Sequence, residues 1–293
     1  MLSARLSATA PLLALLLATT AARAGDLTLA TADGPRHAIT VPAGSGPAPT
    51  VIVLHGALGT GAGTLRSSGF AEAAARHGFA AVFPDGLDRQ WHDGRTGGHG
   101  GPDDVAFLTA LVGRLVADHV ARPDRIYLAG ISNGGMMSFT MACRAGDLFA
   151  GIGTVIATMP AGIEPCRLKP LPLVMINGTA DPMVPFAGGG VGLRGRRGQV
   201  WSVERTLELF AGADGCGPAT AAEPIPHGDP ADPTHVLRID RAGCQPGTGV
   251  TLYRIEGGGH ALPGRPALSR VLLGPSNQDI ASAEVIMAVF ARR

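Results

Sequence analysis

The chain has 293 residues, of which 45% are hydrophobic and 16% charged, and it carries a formal net charge of +1 at pH 7. This balance excludes an intrinsically disordered chain, a basic nucleic-acid-binding surface and an acidic tail. A small molecule or an uncharged polymer is the partner it allows.

Residues 1–24 read as a secretory signal peptide. Arg5 supplies a positive start, residues 6–18 are apolar around a Leu-Leu-Ala-Leu-Leu-Leu centre, and Ala22-Arg23-Ala24 has the form of a cleavage site. The apolar run is shorter than the roughly 20 residues a spanning helix needs. Cleavage after Ala24 would leave residues 25–293 as one domain, secreted to the periplasm or medium, with no stable membrane association. All four cysteines, Cys143, Cys166, Cys216 and Cys244, lie in that exported part, where disulfides are permitted. Three pairings are possible, and proximity in sequence favours Cys143 with Cys166 and Cys216 with Cys244, each worth about 3 kcal/mol on the chain-entropy account. No Cys-x-x-Cys spacing is present, and His92, Asp93 and His99 form no recognised ligand spacing, so neither a metal nor a cofactor is expected.

From residue 50 onward, strand and helix patterns alternate. Residues 50–54 are a continuous apolar run ending at His55-Gly56, the pattern of a buried parallel strand. Residues 69–77, with Phe70, Ala73 and Ala74 on one side, read as a helix stopped by Gly78; residues 79–83 read as a strand broken by Pro84-Asp85-Gly86. A glycine-rich loop over 94–101 follows. Asp103 and Asp104 then open a helix, acids at its positive end, with Val105, Leu108, Leu111, Val112 and Leu115 at helical spacing. A strand over 125–129 runs into Gly130-Ile131-Ser132-Asn133-Gly134. Residues 151–158 and 171–177 read as strands, 200–210 as a helix with a Val203, Leu207, Phe210 stripe, and 250–255 as the last strand. A final helix is expected from about Ser276, burying Ile280, Val285, Ile286, Val289 and Phe290. Residues 212–242, rich in Gly, Pro, Ala and Asp, read as an irregular insertion pinned by the second disulfide. Such alternation predicts an α/β fold, a mostly parallel sheet with helices on both faces.

With 43 glycines, a Gly-x-Ser-x-Gly arises easily by chance. A strand before it and a helix after it supply the context of a nucleophile elbow, in which small neighbours let strand and helix approach closely around a serine on a sharp turn. A serine hydroxyl attacks only when a base takes its proton, and the base needs an acceptor to orient it. On the α/β-hydrolase pattern the order is serine, acid, histidine. Asp181, just past the strand over 171–177, is the candidate acid; Asp214, Asp229, Asp232 and Asp240 follow no convincing buried strand. His260, after Gly257-Gly258-Gly259 and the last strand, is the candidate base. The candidate oxyanion donors are the backbone N–H groups of Asn133 and of Ala57, with Leu58 as the fallback for the second. His55 precedes the serine and is expected to shape its loop.

Leu54-His55-Gly56, Pro84-Asp85-Gly86 with Trp91, Asp103-Asp104-Val105 with Phe107, Gly130 to Met137, Ala142-Cys143, Gly178-Thr179-Ala180-Asp181 and Gly257-Gly258-Gly259-His260 together resemble the secreted esterases of the polyhydroxybutyrate depolymerase and feruloyl esterase family. The motifs span residues 50 to 265. The resemblance implies an α/β-hydrolase with Ser132 as nucleophile, Asp181 as acid and His260 as base, and it supports Cys143 as a disulfide member. Leu262-Pro263-Gly264 stands where the family has Trp-Pro-Gly, which removes an aromatic wall. Aromatic residues make up 4% of the chain, leaving Trp91 and Trp201 as stacking candidates. Trp91, Leu58 and Leu262 are the candidate substrate contacts. The expected function is hydrolysis of carboxylic esters, short-chain, hydroxyalkanoate-oligomer or hydroxycinnamate, through an acyl-enzyme. The alternatives are a peptidase or amidase on the same scaffold and a non-catalytic binding protein.

Overall fold

The computed structural model describes residues 25–95, 101–164 and 166–293; the leader expected over 1–24, His99 and most of the glycine-rich loop lie outside the described residues. Its strands are β1 (Gly25–Thr31), β2 (Gly34–Val41), β3 (Ala48–Leu54), β4 (Ala80–Pro84), β5 (Ala121–Ile131), β6 (Gly151–Val155), β7 (Leu173–Gly178), β8 (Gly189–Gly190), β9 (Gln199–Val200), β10 (Glu223–Pro224), β11 (His235–Asp240) and β12 (Val250–Glu256). The helices are α1 (Gly61–Ser67), α2 (Phe70–Arg76), α3 (Asp104–Ala117), α4 (Asn133–Ala145), α5 (Val203–Ala213), α6 (Arg270–Leu273) and α7 (Ser282–Ala291).

Ten strands form one sheet in the order β1-β2-β4-β3-β5-β6-β7-β12-β11-β10. The six from β4 to β12 run parallel, and antiparallel pairs close both ends. Successive side chains of a strand point to opposite faces, and the central strands are apolar on both. Ile52, Leu54, Leu128 and Met175 join the cluster under α3, α4 and α5, with Leu108, Phe139 and Phe210; Val51, Val53, Tyr127 and Ile176 join the one under α2 and α7, with Phe70, Ile286 and Phe290. A sheet covered on both faces in this way explains why its strands read as continuous apolar runs.

Three sequence expectations are corrected. The region 212–242 is not only an insertion: β11 within it pairs antiparallel along β12 and extends the sheet. The last helix begins at Ser282 rather than Ser276, because the Asn277 side chain accepts the N–H groups of Asp279 and Ile280 and holds a turn there. The strand at 151 ends at Val155, before Ile156 turns to a φ of 50°. Residues 25–41, for which the sequence suggested no element, form a hairpin on the sheet edge. Cysteines pair as Cys143–Cys166 and Cys216–Cys244. Among the described residues no helix is long and apolar enough to cross a membrane.

Candidate active site

Ser132 sits between β5 and α4 with φ 53° and ψ −117°, a conformation costing an L-residue on the order of 1–3 kcal/mol. Packing imposes it. A Cβ at Gly130 would come 2.2 Å from the Gly134 carbonyl oxygen, and one at Gly134 would come 2.5 Å from the carbonyl oxygens of Leu54 and His55. Strand, turn and helix therefore touch backbone to backbone, and only glycine fits either side of the serine. The turn is further fixed by the Ser132 N–H, which donates to the Val155 carbonyl at 2.9 Å.

The candidate acid and base come from neighbouring parallel strands, β7 and β12, and their loops are bonded to each other: Ala180 N–H donates to the Gly258 carbonyl at 3.0 Å. Asp181 Oδ1 accepts the N–H groups of Met183 at 2.7 Å and Val184 at 2.8 Å, leaving Oδ2 for His260 Nδ1 at 2.7 Å. His260 N–H donates to the Leu273 carbonyl, which fixes the imidazole's backbone. On the other side of the ring, Nε2 lies 2.9 Å from Ser132 Oγ. With Nδ1 protonated toward Asp181, Nε2 has its lone pair toward the serine hydroxyl, the tautomer that accepts a proton from it.

Asn133 is the first residue of α4, so its N–H has no partner within the helix and lies at the positive end of its dipole. The Leu58 N–H donates to the Arg89 carbonyl at 2.8 Å, and Leu58's carbonyl accepts from the Arg89 guanidinium, which removes that fallback donor. Ala57 lines the same cleft, and its N–H has no protein acceptor among the described residues.

The cleft over Ser132 and His260 encloses about 800 Å³. A slightly larger depression of about 880 Å³, around Arg125, Arg238 and Arg293, lies at the opposite ends of β5 and β12, away from these residues. One wall of the cleft over Ser132 is built on a network that sequence reasoning missed. The Asn133 side chain accepts the Trp91 N–H at 2.8 Å and donates to the Trp91 carbonyl at 3.0 Å and to Asp93 Oδ2 at 2.6 Å. Asp93 also holds Arg95 Nε at 2.9 Å, and Arg95 donates to the Arg197 carbonyl at 2.8 Å on the opposite wall. Apart from Asp93 and Arg95, which are two residues apart, these partners are 40 or more residues apart in sequence, and no local pattern announces them.

Trp91 reaches the cleft, but its ring packs against His55 and Phe107 and its ring N–H donates to the His55 carbonyl at 2.9 Å. It supports the wall more than it offers a stacking face. Leu58 lines the cleft and is 59% exposed. Leu262 is not among the cleft's lining residues; it packs on the cluster under α2 and α7. Trp201 is buried beneath the Arg205 guanidinium. His55 is buried, accepts the Gly86 N–H at Nε2 (2.9 Å) and donates from Nδ1 to the Gly56 carbonyl (2.8 Å), so it is neutral and shapes the loop. Burial lowers its pKa, against the opposing pull of the Gly56 carbonyl and the Asp85 and Asp104 carboxylates.

The second wall is a flap over 188–198, a β8–β9 hairpin turning on Gly192 and Gly195 and carrying Val191, Arg196 and Arg197 into the cleft lining. Backbone bonds hold it: Gly192 N–H to the Met183 carbonyl at 2.7 Å, two residues from Asp181, and Val191 N–H to Gly198 at 2.9 Å.

Residues 36–183 match the family model described as esterase PHB depolymerase. The NocK protein of Nocardia uniformis subsp. tsuyamanensis, assigned as an esterase, is 30% identical over 255 residues, covering 80% of this chain and 72% of that protein. Feruloyl esterase B of Piromyces equi is 27% identical over 224 residues, 73% of this chain but only 40% of its own length. The S-formylglutathione hydrolase of Agrobacterium tumefaciens superposes with a TM-score of 0.56 at 14% identity, covering 92% of this chain and 95% of that one, a likeness of the α/β-hydrolase fold. By family match and by similarity along most of its length, the chain belongs to the PHB depolymerase esterase family and is a carboxylic ester hydrolase.

Proposed function

We propose that the protein is a secreted serine esterase working through an acyl-enzyme, and the observation that carries this is the Ser132–His260–Asp181 relay at 2.9 and 2.7 Å. Ser132 Oγ attacks the ester carbonyl carbon while its proton passes to His260 Nε2. The carbonyl oxygen becomes an oxyanion, met by the N–H groups of Asn133 and Ala57. Collapse expels the alcohol, which leaves with the proton from His260. Water then attacks the acyl-enzyme by the same steps and releases the acid. Asp181 keeps the imidazole oriented and stabilises it while it is charged.

The hydroxyalkanoate or hydroxycinnamate character of the substrate is supported by the family description and by the feruloyl esterase relative. Secretion is supported by the leader pattern over 1–24 and by the two disulfides, which persist in an oxidising compartment. Residues 25–293 would then act as one catalytic domain.

Ser132→Ala is expected to lower kcat/KM for 4-nitrophenyl butyrate by roughly 10⁴-fold or more and to abolish labelling by a fluorophosphonate probe. Retention of near-full activity by this variant would overturn the proposal. Turnover of peptide amides as fast as esters would move the protein to the amidase class.

A further inference from the structure

Charged groups lining the cleft outside the relay divide into satisfied and unsatisfied ones. Arg95 and Asp93 neutralise each other at 2.9 Å. Arg196 and Arg197, both exposed on the flap, have no carboxylate within ion-pair distance among the described residues. None is hidden elsewhere, because residues 1–24, 96–100 and 165 contain no Asp or Glu. Asp88, exposed on the opposite wall, is the opposing charge in the lining. The flap thus sets two arginines, against one exposed aspartate, in the lining of the space where an ester would lie.

The backbone that carries Arg197 is fixed. Arg197 is fixed at both backbone groups, its N–H donating to the Val191 carbonyl at 3.0 Å and its carbonyl accepting from Arg95 at 2.8 Å. Its stem crosses Gly192, where a Cβ would lie 3.3 Å from Arg197 Cδ. Through Arg95, Asp93 and Asn133, this backbone is connected to the residue that follows the nucleophile. A guanidinium carried on such a backbone presents a planar fork suited to a carboxylate. A neutral ester offers it only an uncharged acceptor, without the charge-assisted bidentate pairing.

We propose that Arg196 and Arg197 form a carboxylate-recognising subsite, so that the preferred substrate is an ester whose acyl or alcohol part bears a free carboxylate. A short linear oligomer of hydroxy acids has this form, since one end remains a free acid. The inference rests on the esterase reading and adds to it which ester is selected.

The test compares kcat/KM for mono-4-nitrophenyl adipate, which ends in a carboxylate, with that for 4-nitrophenyl hexanoate, a neutral ester of equal acyl length. Both are assayed with the wild-type chain, Arg196→Gln/Arg197→Gln and Arg196→Glu/Arg197→Glu. The adipate-to-hexanoate ratio is expected to fall roughly 5- to 30-fold in the Gln variant, further in the Glu variant, and to narrow for the wild type in about 0.5 M NaCl. A ratio unmoved within about twofold by both variants overturns the subsite while the esterase reading stands. Hydrolysis of neither ester by the wild type would defeat the esterase reading and the subsite together.

Discussion

Two walls face each other across Ser132, and different forces hold them. The wall over 87–95 is knitted into the interior: Trp91 packs on Phe107 and His55, and Asp93, 3% exposed, binds the side chain of Asn133, the residue after Ser132. The flap over 188–198 hangs on backbone hydrogen bonds and glycine turns, with Leu193 60% exposed and its arginines in solvent. Chemistry needs fixed geometry, whereas substrate choice tolerates and even benefits from a variable rim. The division teaches that a change in the first wall is expected to alter the rate for every ester, and a change in the second to alter which ester is preferred.

The largest test of this contrast is at the base of the inner wall. Arg36 and Asp104, both fully buried, form an ion pair at 2.6 Å, and Asp104 Oδ2 also accepts the His92 N–H at 2.7 Å. Asp104→Ala leaves a buried guanidinium without its partner and is expected to reduce unfolding free energy by about 3–5 kcal/mol in a denaturant titration. Leu193→Ser in the flap is expected to change it by less than about 0.5 kcal/mol. Equal losses would erase the distinction between the walls.

Asp93→Asn is a smaller perturbation, since it keeps the shape but removes the charge that Asn133 and Arg95 share. We expect kcat to fall roughly 10- to 100-fold with little change in the adipate-to-hexanoate ratio, through loss of alignment at the elbow. A changed ratio at constant kcat would place Asp93 with the flap instead. The smallest effect concerns pH. His55 is neutral when folded, and burial lowers its pKa below the ordinary 6.5. Above 6.5 folded and unfolded chains are both neutral at this residue. As pH falls through 6.5 the unfolded chain gains a proton that the folded one refuses, so stability declines toward the folded value. Ring resonances of His55 that titrate below 6.5 in the folded protein would verify this, and titration at or above 6.5 would refute it.

Reading the chain in order picked out the elbow, Asp181 and His260 because the first two follow buried apolar runs, His260 follows the last strand-like stretch, and glycine or proline marks each turn. These signals are local. The Asn133–Asp93–Arg95–Arg197 connection is not, since it joins loops that meet only after the sheet has formed. Edge strands were hard to read for a related reason. In β11 the residues are His-Val-Leu-Arg-Ile-Asp, and only Val236 is fully buried, so no continuous apolar run marks it as a strand. The hairpin β1–β2 likewise has one open edge and an alternating, half-polar pattern. The start of α7 was misplaced because an asparagine side chain, rather than a break in the apolar stripe, sets it. No local pattern in the flap announces that two arginines line the cleft.

The ribbon of β10 and β11 bears on how the protein behaves among its own copies. Without it, β12 would be the last strand, and half of its N–H and C=O groups would invite pairing with another molecule. Instead β11 covers β12 from Thr251 to Glu256, the residues immediately before the loop that carries His260. On that side the sheet ends at β10, only two residues long and containing Pro224, which has no N–H to donate. The strand that positions the imidazole is thereby sheltered from strand addition and from the aggregation that begins there.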